Sequence, residues 1–301
     1  MRRVSPVFTI LSITLLFFTS CTTNDNTVKP AEFQVTLTPN VHDSTLTDVF
    51  VHNIKKDQSQ LFITLPDVEI RHYHPAEFHK GSVYIIRRKD GTPANNNQWR
   101  DELWKYTSMK QGKKIFSSQG LDFRVSSHEY FAAIVSDTTL YFVDLQRDKK
   151  PVKFTVSEIE EQNVKDMYIQ PLAWTERDAF FWGNIFQTVN IHSFFRIAPD
   201  TWEVETFDVD SLHITTQDYA FNPTNGVVVF SDFPVIFDAE TAKRVRRNKM
   251  RVHLYLYDLK TGEKKLLATT HSKNFQPEWL STRIIEVNNP ESKGRIVLSL
   301  K

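Results

Sequence analysis

The chain is written in short runs of β-branched and aromatic residues that turn formers interrupt every few positions, and this punctuation restricts it to a fold built from sheets. Val83-Tyr84-Ile85-Ile86, Phe131-Ala132-Ala133-Ile134-Val135, Val227-Val228-Val229-Phe230 and Val252-His253-Leu254-Tyr255-Leu256-Tyr257 are the clearest runs. No long window carries apolar residues at helical spacing. Residues 156–167 are the one segment with helical character; it is short and acidic, Ser157 is its N-cap candidate, and it predicts a turn or two at most.

The order of the runs repeats. In residues 219–268 a strand end and turn at Tyr219-Ala220-Phe221-Asn222-Pro223-Thr224-Asn225-Gly226 lead into the buried strand from Val227. A long loop follows, then Leu254-Tyr255-Leu256-Tyr257-Asp258-Leu259, a hairpin turn at Lys260-Thr261-Gly262-Glu263 and a return strand. Four antiparallel strands in about 50 residues are the content of one propeller blade. Third strands of such units start at Leu103, Leu140, Phe194, Leu254 and Ile296, separated by 37, 54, 60 and 42 residues because the preceding loops differ in length. The last unit stops after its third strand, and an open edge strand invites unwanted pairing. Three N-terminal strand candidates, residues 33–37, 49–52 and 61–65, are available to close the ring. The expected fold is all-β: a β-propeller of five or six four-stranded blades, its ring closed by the N-terminal strands. Trp104, Trp174, Trp182 and Trp279 are expected between blades, and Asp144 and Asp258 are expected to bond turn amides.

The pair of motifs Phe221-Asn222-Pro223-Thr224-Asn225-Gly226 and Leu254-Tyr255-Leu256-Tyr257-Asp258-Leu259-Lys260-Thr261-Gly262 resembles the WD40-like repeat of TolB and of peptidase-associated propellers. That repeat joins a Phe-Ser-Pro-Asp-Gly turn to a Leu-Tyr-x-x-Asp-Leu-x-x-Gly hairpin. Asn222, Thr224 and Asn225 stand here where Ser, Asp and Gly are usual. Pro171-Leu172-Ala173-Trp174 and Gln276-Pro277-Glu278-Trp279 match in part, so the resemblance spans residues 75–300 loosely. It implies a propeller domain; the peptidases of this kind carry a separate hydrolase domain, for which this chain has no room.

The N-terminus sets an address. Arg2 and Arg3 precede a 12-residue apolar run from Val7 to Phe18, then Thr19-Ser20-Cys21. A span needs roughly 20 apolar residues, so this run has the length of a signal-peptide core. The segment resembles a bacterial lipoprotein signal with its lipobox, with Phe18 where Leu is usual. The resemblance implies a diacylglyceryl group on Cys21, the only cysteine, and cleavage before it. The organisation expected is a signal peptide over 1–20, a lipidated cysteine and polar tether over 21–31, and a propeller domain over 32–301. The expected location is the extracytoplasmic face of a cell membrane, held by lipid.

Removing residues 1–20, which hold two arginines and no acid, leaves 35 basic and 36 acidic residues. A balanced chain gives no reason to expect nucleic acid as a partner. With one cysteine there is no internal disulfide and no zinc–thiolate site, so stability rests on burial by 23 Phe, 9 Tyr and 6 Trp. The eight glycines form no phosphate-binding loop, and no G-x-S-x-G elbow is present. No cofactor is expected, and no catalytic residue is assigned.

Two clusters remain. His72 and His74 share one strand face, a spacing suited to a metal, with Glu77 or His79 as a third ligand; a polar strand edge is the plainer reading. Lys243, Arg244, Arg246, Arg247, Lys249 and Arg251 form a basic run in the long loop of the best-matched repeat. Such a run suits contact with anionic lipid or cell-wall polymer, or it is simply solvated. Acid clusters at Asp208/Asp210 and Glu158/Glu160/Glu161 read as exposed turns. The function expected is a membrane-anchored binding or scaffold module of the cell envelope, with an envelope protein or wall polymer as partner. The alternative is an envelope enzyme acting on a glycan or peptide at one mouth of the propeller.

Overall fold

The structure, a computed structural model, describes residues 32–70, 75–88, 100–108, 111–161, 166–236, 238–247, 250–289 and 291–300. They form six antiparallel sheets, each a meander of strands consecutive in sequence. The first holds β1 (Phe33–Pro39), β2 (Leu46–Asn53) and β3 (Gln58–Pro66). The second holds β4 (Glu77–His79), β5 (Ser82–Arg88), β6 (Asp101–Thr107) and β7 (Gly112–Ser118). The third runs β8 (Leu121–Val125), β9 (Phe131–Ser136), β10 (Thr139–Asp144) and β11 (Val152–Thr155). The fourth runs β12 (Tyr168–Trp174), β13 (Phe181–Gln187), β14 (Asn190–Ile197) and β15 (Val204–Asp208). The fifth runs β16 (Tyr219–Asn222), β17 (Val227–Ser231), β18 (Arg251–Asp258) and β19 (Lys264–His271), and the sixth β20 (Glu278–Ser281), β21 (Ile284–Asn288) and β22 (Arg295–Ser299). All five expected third strands are third strands. The N-terminal strands form a sheet of their own; they add no fourth strand to the sixth sheet, so closure by strand pairing is not what the described residues do.

The first strands of the second to sixth sheets point the same way. Tight turns gather at one end of the stack: Lys80 Nζ donates to the His128 carbonyl at 3.1 Å, the Ser127 amide to Asp178 at 2.8 Å, and Asn225 Nδ2 to the Thr282 carbonyl at 3.4 Å. The connections between sheets gather at the other, link end. There β3 passes into residues 67–70, and Ile70 bridges Arg87 at the far end of β5. A three-stranded meander that finishes at the link end must start at the turn end. The described chain therefore begins, at Glu32 and Phe33, at the turn end.

Successive sheets stack face on face, and their second strands are apolar on both faces. Val83 and Ile85 of β5 pack on the first sheet, whereas Tyr84 and Ile86 pack on the third. Phe181 and Ile185 of β13 face the third sheet and Trp182 faces the fifth. Val228 and Phe230 of β17 face the fourth sheet and Val229 the sixth. The period-two alternation of a strand thus distributes one run between two interfaces. The indoles also bridge sheets: Trp174 Nε1 donates to the Arg124 carbonyl at 3.1 Å, and Trp279 Nε1 to the Ala220 carbonyl at 3.2 Å. The outer face of the sixth sheet leaves Val297 57% exposed.

Asp144 accepts from the Gln146 and Arg147 amides, and Asp258 from those of Lys260 and Thr261, as expected. Gly183 is required by a close approach: a Cβ there would lie 2.4 Å from the Phe195 ring. Two helices depart from expectation. The first, α1 (Val156–Glu160), is capped by Thr155 rather than Ser157, through a capping box with Glu158, and ends at the left-handed Glu161. The second, α2 (Ala239–Arg247), occupies what the sequence reading left as loop.

Phe142 is fully buried, edge-on to Phe181 at 5.3 Å and to Trp174 at 5.9 Å. Phe142→Ala is expected to cost about 3–5 kcal/mol in urea unfolding, against about 0.5 kcal/mol or less for Val297→Thr.

Candidate functional site

At the link end one buried carboxylate organises the approach between the fifth and sixth sheets. Asp218 precedes β16 and is 2% exposed. It accepts from the Ser231 hydroxyl at the end of β17, from the Phe275 amide at 3.1 Å and from the Gln276 amide at 2.6 Å. Ser231 Oγ in turn accepts from the Phe233 amide at 3.1 Å. Burial pushes the Asp218 carboxyl pKa up, and these hydrogen bonds oppose the rise. One side chain thus fixes two connections, the one leaving β17 and the one joining β19 to β20.

Between those connections lies a cleft of about 710 Å³. Its floor is tied down by the Asn288 amide to the Phe275 carbonyl at 2.7 Å and by Asn288 Nδ2 to the Asn274 carbonyl at 3.2 Å. The turn before β22 closes it, with the Asn289 amide on the Gly294 carbonyl at 2.9 Å. One wall is α2. Its N-cap is Asp238, which accepts from the Thr241 amide at 2.7 Å and from the Thr241 hydroxyl at 3.1 Å; those bonds hold its carboxyl below the usual range. Val245 is the buried anchor of the helix, and Ser272 Oγ donates to its carbonyl at 2.7 Å. Arg244, Arg246 and Arg247 fall in the last turn, where the helix dipole favours cations.

The basic run is therefore divided by the helix. Arg246 lines the cleft with Lys273, Lys293 and His271, and among the described residues no Asp or Glu lines it. Lys243, Arg244 and Arg247 cover the other side of α2. Arg251 opens β18 and is exposed, and Lys249 lies outside the described residues. Sequence reasoning found the charge but not the helix, nor Lys273, Lys293 and the asparagines, which are far along the chain.

Of the histidine cluster, only His79 and Glu77 fall among the described residues. His72 and His74 lie outside the described residues, whereas His79 ends β4 at the turn end. His79 Nε2 lies 3.0 Å from Glu77 Oε2, an oxygen that also accepts from the Val125 amide at 2.8 Å. Glu77 thereby joins the second sheet to the third. Among the described residues no three His, Cys, Asp or Glu side chains are grouped to hold a metal. A second polar cluster joins the fourth and fifth sheets: Asn184 Nδ2 donates to Gln170 Oε1 at 3.1 Å and to the Tyr219 hydroxyl at 3.0 Å. Burial pushes the Tyr219 pKa up to about 12, so it stays a neutral hydroxyl. Among the described residues no helix is long and apolar enough to cross a membrane.

No family model and no curated protein sequence matches the chain. Solved structures do. An oligogalacturonate lyase in complex with manganese is 10% identical with a TM-score of 0.57, over 89% of this chain and 76% of that one. An oligogalacturonate lyase from Vibrio parahaemolyticus is 11% identical with a TM-score of 0.50, over 85% and 74%. The β-propeller domain of the Trilobed protease from Pyrococcus furiosus is 11% identical with a TM-score of 0.49, over 89% and 77%. At such identities the likeness to the two lyases is one of fold alone, that of an all-β chain of successive antiparallel sheets.

Asp218→Ala leaves the Phe275 and Gln276 amides without their acceptor. It is expected to lower stability by at least about 1–3 kcal/mol, and hydrogen exchange of those two amides should speed up more than that of Val83.

Proposed function

We propose that the protein is an exported β-propeller, tethered by lipid on Cys21, that serves the cell envelope as a binding module, with the link end as its working surface. The observation that carries this reading is the concentration of cations on α2 and in the cleft beside it, on a chain whose overall charge is balanced.

The two ends of the stack give the reading a direction. The described chain begins at the turn end, and a nine-residue tether from Thr22 to Pro30 reaches at most about 30 Å. The anchored membrane then lies on the turn-end side. The cations of α2 face away from it, toward an anionic wall polymer or an envelope protein rather than toward the anchoring lipid. The alternative, an envelope enzyme acting on a glycan or peptide, requires convergent carboxylates at a mouth. Asp218, buried at the link end, is occupied by hydroxyl and backbone donors, and Glu102, buried at the start of β6, is held by Trp104 and Lys114.

Two measurements test this. Cells fed a palmitate analogue should label the wild type and not Cys21→Ser; label retained on the variant sinks the tether. Delipidated cell envelopes should retain the protein in a salt-sensitive way. The triple variant Lys243→Glu/Arg244→Glu/Arg247→Glu should weaken retention by about 100-fold, at about 1 kcal/mol per cation. Retention indifferent to both salt and the triple variant refutes the working surface.

A further inference from the structure

The cleft behind α2 has a chemistry of its own, distinct from the outward cations. Its volume, about 710 Å³, falls within the usual range for small-ligand sites, roughly 300–1,000 Å³. Three kinds of group converge on it. Arg246 and Lys293 supply positive charge, Lys273 has an interaction of its own, and among the described residues no acid lines the cleft. Asn274 supplies an amide that donates and accepts, and Asn289 supplies its Nδ2 donor, its Oδ1 accepting from the Glu291 and Ser292 amides. Phe233 supplies an apolar wall. Cations recognise an anion, amides recognise hydroxyls, and an aromatic face accepts the C–H face of a pyranose ring.

We infer that this cleft binds a saccharide unit bearing a carboxylate or a phosphate. The inference rests on the reading of the link end as a binding surface and names the ligand class for it. A bare anion fits the observations less well, because one ion occupies a small part of this volume and leaves the amides and Phe233 unused. A lipid headgroup fits less well too, because the cleft opens at the end of the stack opposite to the start of the described chain. The cleft is also prearranged. Asp218 and Asn288 pin its two connections by hydrogen bonds, so little ordering remains to be done when a ligand arrives.

Isothermal titration of the full lipidated protein in detergent micelles tests this with glucuronate, glucose 6-phosphate, glucose and inorganic phosphate as probes. At least one charged sugar should bind about tenfold or more tightly than both glucose and inorganic phosphate. Arg246→Glu/Lys293→Glu should lose that binding by about tenfold or more, whereas Lys243→Glu/Arg247→Glu should keep it. Charged sugars that bind no better than glucose, or phosphate that binds as well as glucose 6-phosphate, overturn the inference. So does competition by phosphatidylglycerol vesicles. Envelope retention that persists alongside such a failure leaves the binding-module reading standing; loss of both removes the two together.

Discussion

Everything in this molecule depends on the strand that is apolar on both faces. In β5, β13 and β17 alternate side chains enter different interfaces, so each sheet is pressed from two sides by its neighbours. Full burial of one large apolar side chain contributes about 1.5–3 kcal/mol, and each interface holds several. That is how a chain with a single cysteine builds a core: among the described residues there are only two short α-helices and no layer of them covers the sheets, because the sheets cover one another.

The stack leaves its connections free to differ, and the site grows from that freedom. Turns at one end are short and tied by Asp144, Asp258 and Asp178. Connections at the other end range from two residues to the nineteen between β17 and β18, and those around the fifth and sixth sheets carry α2, the asparagines and the lysines. A buried carboxylate normally costs free energy; Asp218 offsets that by satisfying donors on two connections at once. The cleft is therefore built on a rigid frame, although every residue lining it belongs to a loop, to α2 or to a strand end.

Much of the fold was legible because strand runs and hairpin turns are local signals. The third strands at Leu140 and Leu254 carry a Leu-Tyr pair followed by Asp and a turn, and the Asp144 and Asp258 turns form as that pattern implies; those at Leu103, Phe194 and Ile296 follow from the repeating order of the runs. The helix α2 was not found. Only Val245 on it is buried, so it has no apolar period to read, and six cations in nine residues suggested a solvated loop. Its other signals were present: Asp238 three residues before Thr241, then Ala, Lys and Arg, all good helix formers. Nor did the sequence tell one end of the stack from the other. That depends on parity. Three strands in the first sheet, not four, send β1 in the opposite sense to β4, and no residue pattern announces the count.

The five apolar interfaces each join sheets that are neighbours in sequence. Energetically the molecule is a one-dimensional array, in which each unit is stabilised by itself and by two adjacent couplings. Cooperativity in such an array passes only through the middle units. The terminal sheets, coupled on one side, are the places where fraying begins, and the fifth sheet, which carries α2, is held from both sides.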